Sequence, residues 1–313
     1  MMVTMTSTTP QRERARAAAA RPRRRWTREA TVAMFFVAPA ALGFAVFTLA
    51  PAIRGFYYSF TDYDVFQPEV FVGTANYERM IVDPVFWNSL VVTLEYVVIN
   101  IVFQTIFALV LAVLMHRLTQ SLVIRGIILG PYLVANVIVA LVWFWILDYQ
   151  IGIGNQFIEW LGLDRLAFFG DSALAIPTIA FINVWRHVGY TALLIFAGLQ
   201  MIPKEMYEAS AIDGAGEWKT FWRITVPLLR PVLAVVLVVS IIGSFQIFDT
   251  VAVTTQGGPV NATRVIYYYI YDLAFNRYEF GYASAVSVAL FVILAGVSLL
   301  QLRLTRANQS DLA

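Results

Sequence analysis

The 313-residue sequence contains no cysteine and only two histidines, His116 and His187. Without cysteine the chain can form no disulfide, thiolate nucleophile, iron–sulfur cluster or cysteine-ligated zinc site. Two histidines far apart in sequence exclude an all-histidine metal cluster. The dipeptide Gly-Lys is absent as well, and with it the phosphate-binding motif G-x-x-x-x-G-K-[ST]. We therefore expect the chain itself to bind neither a metal nor a nucleotide.

Charged residues are also scarce. They make up 13% of the chain, about half of the ~25% that is usual for soluble domains. Hydrophobic residues account for 59%, and the mean hydropathy is +0.70. So few polar groups could not cover the surface of a soluble protein of this size. The composition predicts an integral membrane protein.

Six apolar stretches are long enough to cross a hydrocarbon core of about 30 Å as helices. They are residues 31–53, 89–115, 126–147, 173–200, 231–248 and 282–302. The predicted fold class is therefore all-α, a polytopic membrane protein with six transmembrane helices. The second stretch contains Glu95 and the fourth contains Arg186 beside His187. Whether Glu95 and Arg186 pair stays open, because their depths differ by roughly 10 Å at a rise of about 1.5 Å per residue.

The distribution of lysine and arginine predicts the orientation of these helices. Of the 22 basic residues, 16 lie in the two tails and in the segments 116–125 and 201–230. Only five lie in the alternate loops at 54–88, 148–172 and 249–281. Because basic residues concentrate on the cytoplasmic side of membranes, we expect both termini to be cytoplasmic. The predicted organisation is a basic tail at 1–30, a six-helix domain at 31–305 and a short tail at 306–313.

The cytoplasmic segment 201–230 contains two short helical patterns rather than a simple connection. The first runs from Pro203 to Ile212 and ends at Gly214, which can adopt a left-handed conformation. The second runs from Glu217 to Ile224 and is expected to end before Pro227. The aromatic side chains expected at the surface of segment 201–230 are Tyr207, Trp218, Phe221 and Trp222. From the residues alone, these aromatics fit either a lipid surface or a protein partner.

This segment resembles the EAA loop of the membrane subunits of binding-protein-dependent ABC importers. The matching residues are Glu208, Ala209, Ser210, Asp213, Gly214, Ala215, Phe221, Ile224 and Pro227. Ser210 replaces the second alanine of the family pattern, as in the maltose-type subunits. TQGGP at 255–259 and GYASA at 281–285 resemble the carbohydrate-uptake branch, which includes maltose and glycerol-phosphate permeases. The likeness extends over residues 30–305.

The resemblance implies a non-catalytic permease subunit of an ATP-driven importer in the bacterial cytoplasmic membrane. Its partners would be a sister permease, two ATPase subunits that bind ATP and Mg, and an extracytoplasmic solute-binding protein. The EAA loop would contact the ATPase, and the chain would hold no cofactor. The solute would be a di- or oligosaccharide, with glycerol phosphate esters as the alternative.

Two other classes of function remain open. An ion-coupled secondary transporter would need a proton relay, for which Glu95 and His187 are the available groups. A membrane-embedded enzyme would need an acidic pair at one membrane face. Asp62 and Asp64 form such a pair in an outer loop, but no other catalytic group lies near them in sequence. A secondary transporter would also have no use for the EAA loop.

A candidate substrate pathway lies on the fourth and fifth predicted helices. Asn183, His187 and Tyr190 share one face of the fourth helix at i, i+4 and i+7. Such a face either bonds to a neighbouring helix or lines a cavity for a polyhydroxylated solute. The resemblance favours the cavity, because Asn183, Tyr190 and Ser244 stand where maltose-type subunits contact sugar. The predicted pathway residues are Asn183, His187, Tyr190, Ser240, Ser244 and Gln246.

Overall fold

The computed structural model describes residues 28–118 and 121–306. Its internal contacts divide the chain into a unit that ends at Arg54 and a unit that begins at Gly55. The predicted basic tail lies outside the described residues except for 28–30. The predicted C-terminal tail lies outside them except for residue 306.

The described residues of the first unit form a helix that follows the first apolar stretch. Helix α1 (Arg28–Phe44) continues through a five-residue π-helical segment, Ala45–Leu49, into helix α2 (Ala50–Tyr58), whose last residues belong to the second unit. Residues Val32–Tyr58 are long and apolar enough to cross a membrane. The first predicted span, 31–53, is therefore helical and about one turn longer than expected.

The described residues of the second unit are mostly helical and include one two-stranded hairpin. Its elements are β1 (Thr61–Asp62), β2 (Val70–Phe71), α3 (Ala75–Val82), α4 (Pro84–Leu118), α5 (Leu122–Leu133), α6 (Asn136–Ile146), α7 (Ile153–Trp160), α8 (Ser172–Gln200), α9 (Lys204–Ile212), α10 (Glu217–Thr220), α11 (Val226–Phe245), α12 (Asp249–Thr254), α13 (Ile266–Tyr271) and α14 (Phe280–Arg306). The strands pair antiparallel, with Thr61 opposite Phe71. The predicted all-α class is confirmed.

The third predicted span is not one straight helix. Its residues form α5 and α6, which meet at Val134 and Ala135 with a bend of 89°. Pro131, in the last turn of α5, has no N–H to continue the hydrogen-bond ladder. The described residues therefore contain five helical segments long and apolar enough to cross a membrane, or six spans if the bent pair is one of them.

The prediction that a helix ends before Pro227 was wrong. Helix α10 continues through a π-helical segment, Phe221–Thr225, directly into α11. Pro227 has no N–H to donate, and it closely follows the wider turn of the π-helical segment, through which the helix continues. The fifth span consequently begins in the EAA loop, at Glu217, and the loop's second helix is an extension of it.

The core of the second unit forms where α4 packs along α8. One cluster of buried side chains includes Tyr96, Ile179 and Tyr269, and a second, nearer the EAA loop, includes Ile195 and Leu229. Helix α5 also packs tightly on α8 at Gly189, where a Cβ atom would lie 2.0 Å from the carbonyl oxygen of Ile128. Only glycine permits this approach.

The end of the bundle next to the hairpin is held by a half-buried carboxylate. Asp83, just before α4, accepts hydrogen bonds from the hydroxyl groups of Tyr269 and, at 2.7 Å, Tyr282. Burial would raise the pKa of Asp83, but these bonds and backbone N–H groups outweigh it and lower the pKa. At Gly281, in the GYASA motif, the backbone N–H donates to the carbonyl oxygen of Tyr63 at 3.0 Å. A side chain there would collide with the carbonyl oxygen of Thr61, since a Cβ would lie 2.1 Å from it.

Candidate functional site: an intramembrane cavity and an exposed loop

A polar cavity of about 130 Å³ opens among the membrane-spanning helices. Helices α4, α6, α8, α11 and α12 and the break between the last two contribute to its wall. Its lining residues are Asn100, Gln104, Asn136, Asn183, His187, Ser240, Gly243, Ser244, Gln246, Ile247, Phe248, Asp249 and Thr250. Amides, hydroxyls, an imidazole and a carboxylate therefore converge inside an otherwise apolar bundle.

The structure brings five of the six predicted pathway residues to this cavity. Asn183, His187, Ser240, Ser244 and Gln246 all line it. Tyr190 is not among the lining residues. Its ring stacks on Tyr132 of α5, with centroids 4.5 Å apart and an interplanar angle of 11°. The predicted helical face is thus divided between the cavity wall and helix packing.

A buried hydrogen-bond network forms the deep wall of the cavity. The amide nitrogen of Asn100 donates to Gln104 Oε1 at 3.0 Å and to Ser244 Oγ at 2.9 Å. Gln104 Nε2 donates in turn to Thr191 Oγ1 at 2.8 Å. Asn100 is only 1% exposed, yet its side-chain oxygen has no partner. A buried acceptor without a partner costs free energy, so a donor from a ligand would stabilise this wall.

Sequence reasoning missed Asn100, Gln104, Asn136, Asp249 and Thr250. Asn100 and Gln104 lie four residues apart in the apolar stretch of α4, so they share one helical face. That spacing was the available signal in the sequence. The charged residue of the same stretch, Glu95, is exposed and does not line the cavity. Asn136 and Asp249 follow breaks in their spans, and no sequence pattern showed those breaks.

Arg186 does not pair with Glu95; it bonds to the break between α5 and α6. Its Nε donates to the carbonyl oxygen of Val134 at 3.1 Å, and one terminal nitrogen donates to Val134 at 2.9 Å and to Tyr132 at 3.1 Å. The last carbonyls of a helix have no intrahelical donor. In apolar surroundings, leaving them unpaired costs several kcal/mol each. The intramembrane arginine therefore satisfies the end of the broken span.

Both ring nitrogens of His187 are engaged. Nδ1 lies 3.0 Å from the carbonyl oxygen of Asn183, and Nε2 lies 2.8 Å from the other terminal nitrogen of Arg186. A carbonyl oxygen only accepts and a guanidinium only donates. Nδ1 therefore carries the proton, Nε2 accepts, and the ring is neutral. His187 shapes the cavity without offering a free polar nitrogen to it.

The EAA loop forms a second candidate site. Helix α9 spans the first predicted segment, and Gly214 beyond it has a φ of +69°. Two bonds close the turn: the N–H of Gly214 donates to the carbonyl oxygen of Ala211, and that of Ala215 donates to the carbonyl oxygen of Ser210. This is a Schellman ending, and the prediction of a left-handed Gly214 is confirmed.

Two side-chain contacts hold the EAA loop in place. Ser210 is 4% exposed, and its hydroxyl lies 2.6 Å from that of Thr220, so it joins α9 to α10. Arg117, at the end of α4, forms an ion pair of 2.6 Å with Glu217 at the start of α10. Ser210, which replaces the second alanine of the family pattern, thus supplies a hydrogen bond within the loop.

The surface of the EAA loop is rich in exposed apolar side chains. Ile212 is 87% exposed and Trp218 is 75% exposed, while Trp222 is also exposed. Tyr207 and Phe221 were expected at the surface as well, but both are half-buried against the loop end of the bundle. Glu208, Ala209 and Asp213 are exposed next to the apolar side chains, whereas Ala215 and Pro227 are half-buried.

Comparison with known proteins identifies the family. Residues 96–308 match the model of the binding-protein-dependent transport system inner membrane component. The chain belongs to this family. Its relatives include a probable ABC transporter permease protein, YurN of Bacillus subtilis, which is 34% identical over 282 residues, or 88% of this chain and 96% of the relative. The trehalose/maltose transport system permease protein MalF of Thermococcus litoralis is also 34% identical, over 89% of this chain and 95% of its own.

A solved structure has the same fold as this inner membrane component. It is a crystal structure of a bacterial alginate ABC transporter in complex with an alginate pentasaccharide-bound periplasmic protein. One of its chains superposes with a TM-score of 0.80 at 22% sequence identity, covering 91% of this chain and 98% of that chain. The chain therefore has the fold of an ABC importer permease.

Proposed function

We propose that this chain and a sister permease together form the pathway of an ATP-driven importer for an uncharged di- or oligosaccharide. The observation that carries the proposal is the cavity, where amides and hydroxyls from five helices meet inside a family member's transmembrane bundle. A polyhydroxylated solute requires many such donors and acceptors. The trehalose/maltose permease among the relatives supports the same class of solute.

The charge of the cavity favours a neutral sugar over the alternative, a glycerol phosphate ester. Asp249 contributes a carboxylate, and lysine and arginine are absent from the described lining residues. The nitrogens of nearby Arg186 are engaged with backbone carbonyls and His187. Phosphate groups are bound most strongly by cationic donors, and the described lining residues include no free cation.

The partners are part of the proposal. The complex of the alginate transporter with its periplasmic protein supports a solute-binding protein that delivers the sugar. The exposed EAA loop fits an ATPase, and we assign ATP and Mg to two such subunits, leaving this chain without a cofactor or a catalytic role. Both termini and the EAA loop would be cytoplasmic. Reporters fused after residues 120 and 215 should then be cytoplasmic, and reporters fused near 68 and 262 external.

Uptake measurements test this function. Cells that express the chain with its neighbouring genes should take up labelled maltose or trehalose, and deletion of this gene should abolish the uptake. Vanadate should inhibit it and a proton ionophore should not. Ionophore-sensitive, vanadate-insensitive uptake would indicate a secondary transporter instead. Uptake of glycerol 3-phosphate in place of both sugars would establish the phosphate-ester alternative.

The structure gives the secondary transporter no proton relay. Glu95 is exposed on α4 and does not line the cavity. His187 lines it, but its two ring nitrogens bond to Arg186 and to the backbone of Asn183. A relay requires the two groups to share a hydrogen-bonded path, and none joins them within the described residues.

A further inference from the structure

Two breaks in the membrane-spanning helices meet at the cavity. The first separates α5 from α6 at Val134 and Ala135, and the second separates α11 from α12 at residues 246–248. The residue that follows each break lines the cavity, and the two are bonded: Asn136 Nδ2 donates to Asp249 Oδ2 at 2.8 Å. Irregular backbone is tolerated at membrane depth where it lines such a cavity. The shape of the cavity therefore depends on what holds the breaks.

Arg186 is the side chain that bonds to the first break. It donates three hydrogen bonds to the carbonyl oxygens of Tyr132 and Val134, and its guanidinium lies 5.3 Å from the centroid of the Tyr132 ring. Its remaining terminal nitrogen contacts His187 in the cavity wall. One guanidinium thus joins the end of α5, the turn into α6 and the lining of α8.

We propose that Arg186 is a positioning residue, which holds the 89° bend so that Asn136 meets Asp249 and the cavity keeps its shape. The inference rests on the proposed function in treating this cavity as the path of the solute. Arginine suits the task because its planar group carries several donors in fixed directions. The single nitrogen of lysine cannot reach two carbonyl groups and His187 together.

Because the sequence contains no cysteine, the proximity of the two breaks can be measured with a pair of introduced cysteines. In the full-length chain in native membranes, Asn136→Cys and Asp249→Cys would be the only thiols of this chain. A short bis-methanethiosulfonate reagent should cross-link them. Because the substitutions remove the Asn136–Asp249 hydrogen bond itself, the cross-linking rate reports how well the rest of the structure holds the two breaks together.

Changes at Arg186 should slow this cross-link at least fivefold. Arg186→Met removes every bond to the break, and Arg186→Lys keeps the charge but not the geometry. The matched control is Arg125→Met, because Arg125 also joins α5 to α8, with its guanidinium 4.3 Å from the centroid of the Phe196 ring, but does not contact the break. This control should cross-link at the parent rate.

Three results would overturn the proposal. One is a parent pair that does not cross-link, and another is an Arg186→Lys protein, inserted and monodisperse, that cross-links at the parent rate. The third is an equal loss in Arg125→Met, which would indicate a general loosening of the contact between α5 and α8. No solute is present in the experiment, so failure of the sugar assignment would leave its outcome unchanged.

Discussion

In the cavity, polar side chains lie inside a bundle of apolar helices, whereas in the EAA loop apolar side chains lie at an exposed surface. Asn100 and Ser244 are at most 5% exposed, while Ile212 is 87% exposed and Trp218 is 75% exposed. Both placements are the reverse of the usual one, in which apolar side chains are buried and polar side chains are exposed. The free-energy cost of burying a polar group has a different origin from the cost of exposing an apolar one.

A polar group in an apolar interior must find a partner or lose several kcal/mol. The cavity residues therefore bond to one another, and the wall is a connected network rather than a set of separate ligands. Exposed apolar area costs only about 25 cal/mol per Å², so the EAA loop can present its apolar side chains without internal compensation. The comparison indicates a preformed cavity and a loop whose apolar side chains are available to a partner.

Substitution of Gly214 should have the largest effect. In Gly214→Val a β-branched side chain would occupy a φ of +69°, a conformation that costs such residues the most. The Schellman ending of α9 should be lost, and both sugar uptake and ATPase co-purification should fall more than tenfold while membrane insertion persists.

Two companion variants make this result specific. Glu208→Lys, which reverses an exposed charge without touching the turn, should also weaken ATPase co-purification. Gly216→Ala is the control, because nothing lies within 4 Å of its Cβ position and its φ is negative. Normal transport in both Gly214→Val and Glu208→Lys would remove the EAA loop from the mechanism.

In the cavity, Asn183→Ala should reduce sugar uptake by about tenfold, which corresponds to one hydrogen bond of ~1.4 kcal/mol. Assembly and basal ATPase activity should be preserved. Tyr190→Phe keeps the ring that stacks on Tyr132 and should transport normally. Wild-type rates and half-saturation in Asn183→Ala would show that this face is packing alone.

Ser210→Ala should have a smaller effect, about two- to threefold on transport. It removes the bond to Thr220, and a neutral hydrogen bond contributes about 1 kcal/mol. Thr220→Val should match it, and the double variant should be no worse than either single one. Additive losses would mean that the two hydroxyls act separately.

Arg117→Met should have the smallest effect, less than twofold on ATPase co-purification. The side chains of Arg117 and Glu217 are 47% and 82% exposed, and exposed ion pairs contribute about 0–1 kcal/mol. Any effect should disappear in high salt. A large, salt-independent loss would show that Arg117 contacts the partner directly.

The sequence was sufficient for features that depend on local chemistry. Apolar stretches of about 20 residues predicted the spans, and the left-handed requirement at Gly214 predicted the end of α9. The same reasoning failed at Pro227, where the expected helix end is absent, and in the third span, where no bend was expected. Whether a helix ends or bends depends on what satisfies its backbone carbonyl groups. At the bend these donors come from Arg186, 52 and 54 positions beyond Val134 and Tyr132.

Only part of the cavity could be predicted from the sequence, because the sequence shows the faces of single helices but not the contacts between them. Helical spacing placed Asn183 and His187 on one face, but it could not show that Tyr190 packs on Tyr132 instead. Asn136 and Asp249 enter the wall through breaks in the helices. A break of that kind is a property of several helices packed together, so no single stretch of sequence reveals it.

The carboxylate of Asp83 has a consequence for how the chain is made. Its two phenol partners, Tyr269 and Tyr282, follow it by 186 and 199 residues. When Asp83 leaves the ribosome, neither tyrosine has yet been synthesised. The carboxylate therefore lacks both phenol donors until the last two helices have been made, and a chain that stops before residue 269 would have neither. Closure of the hairpin end by both bonds thus requires synthesis to at least residue 282.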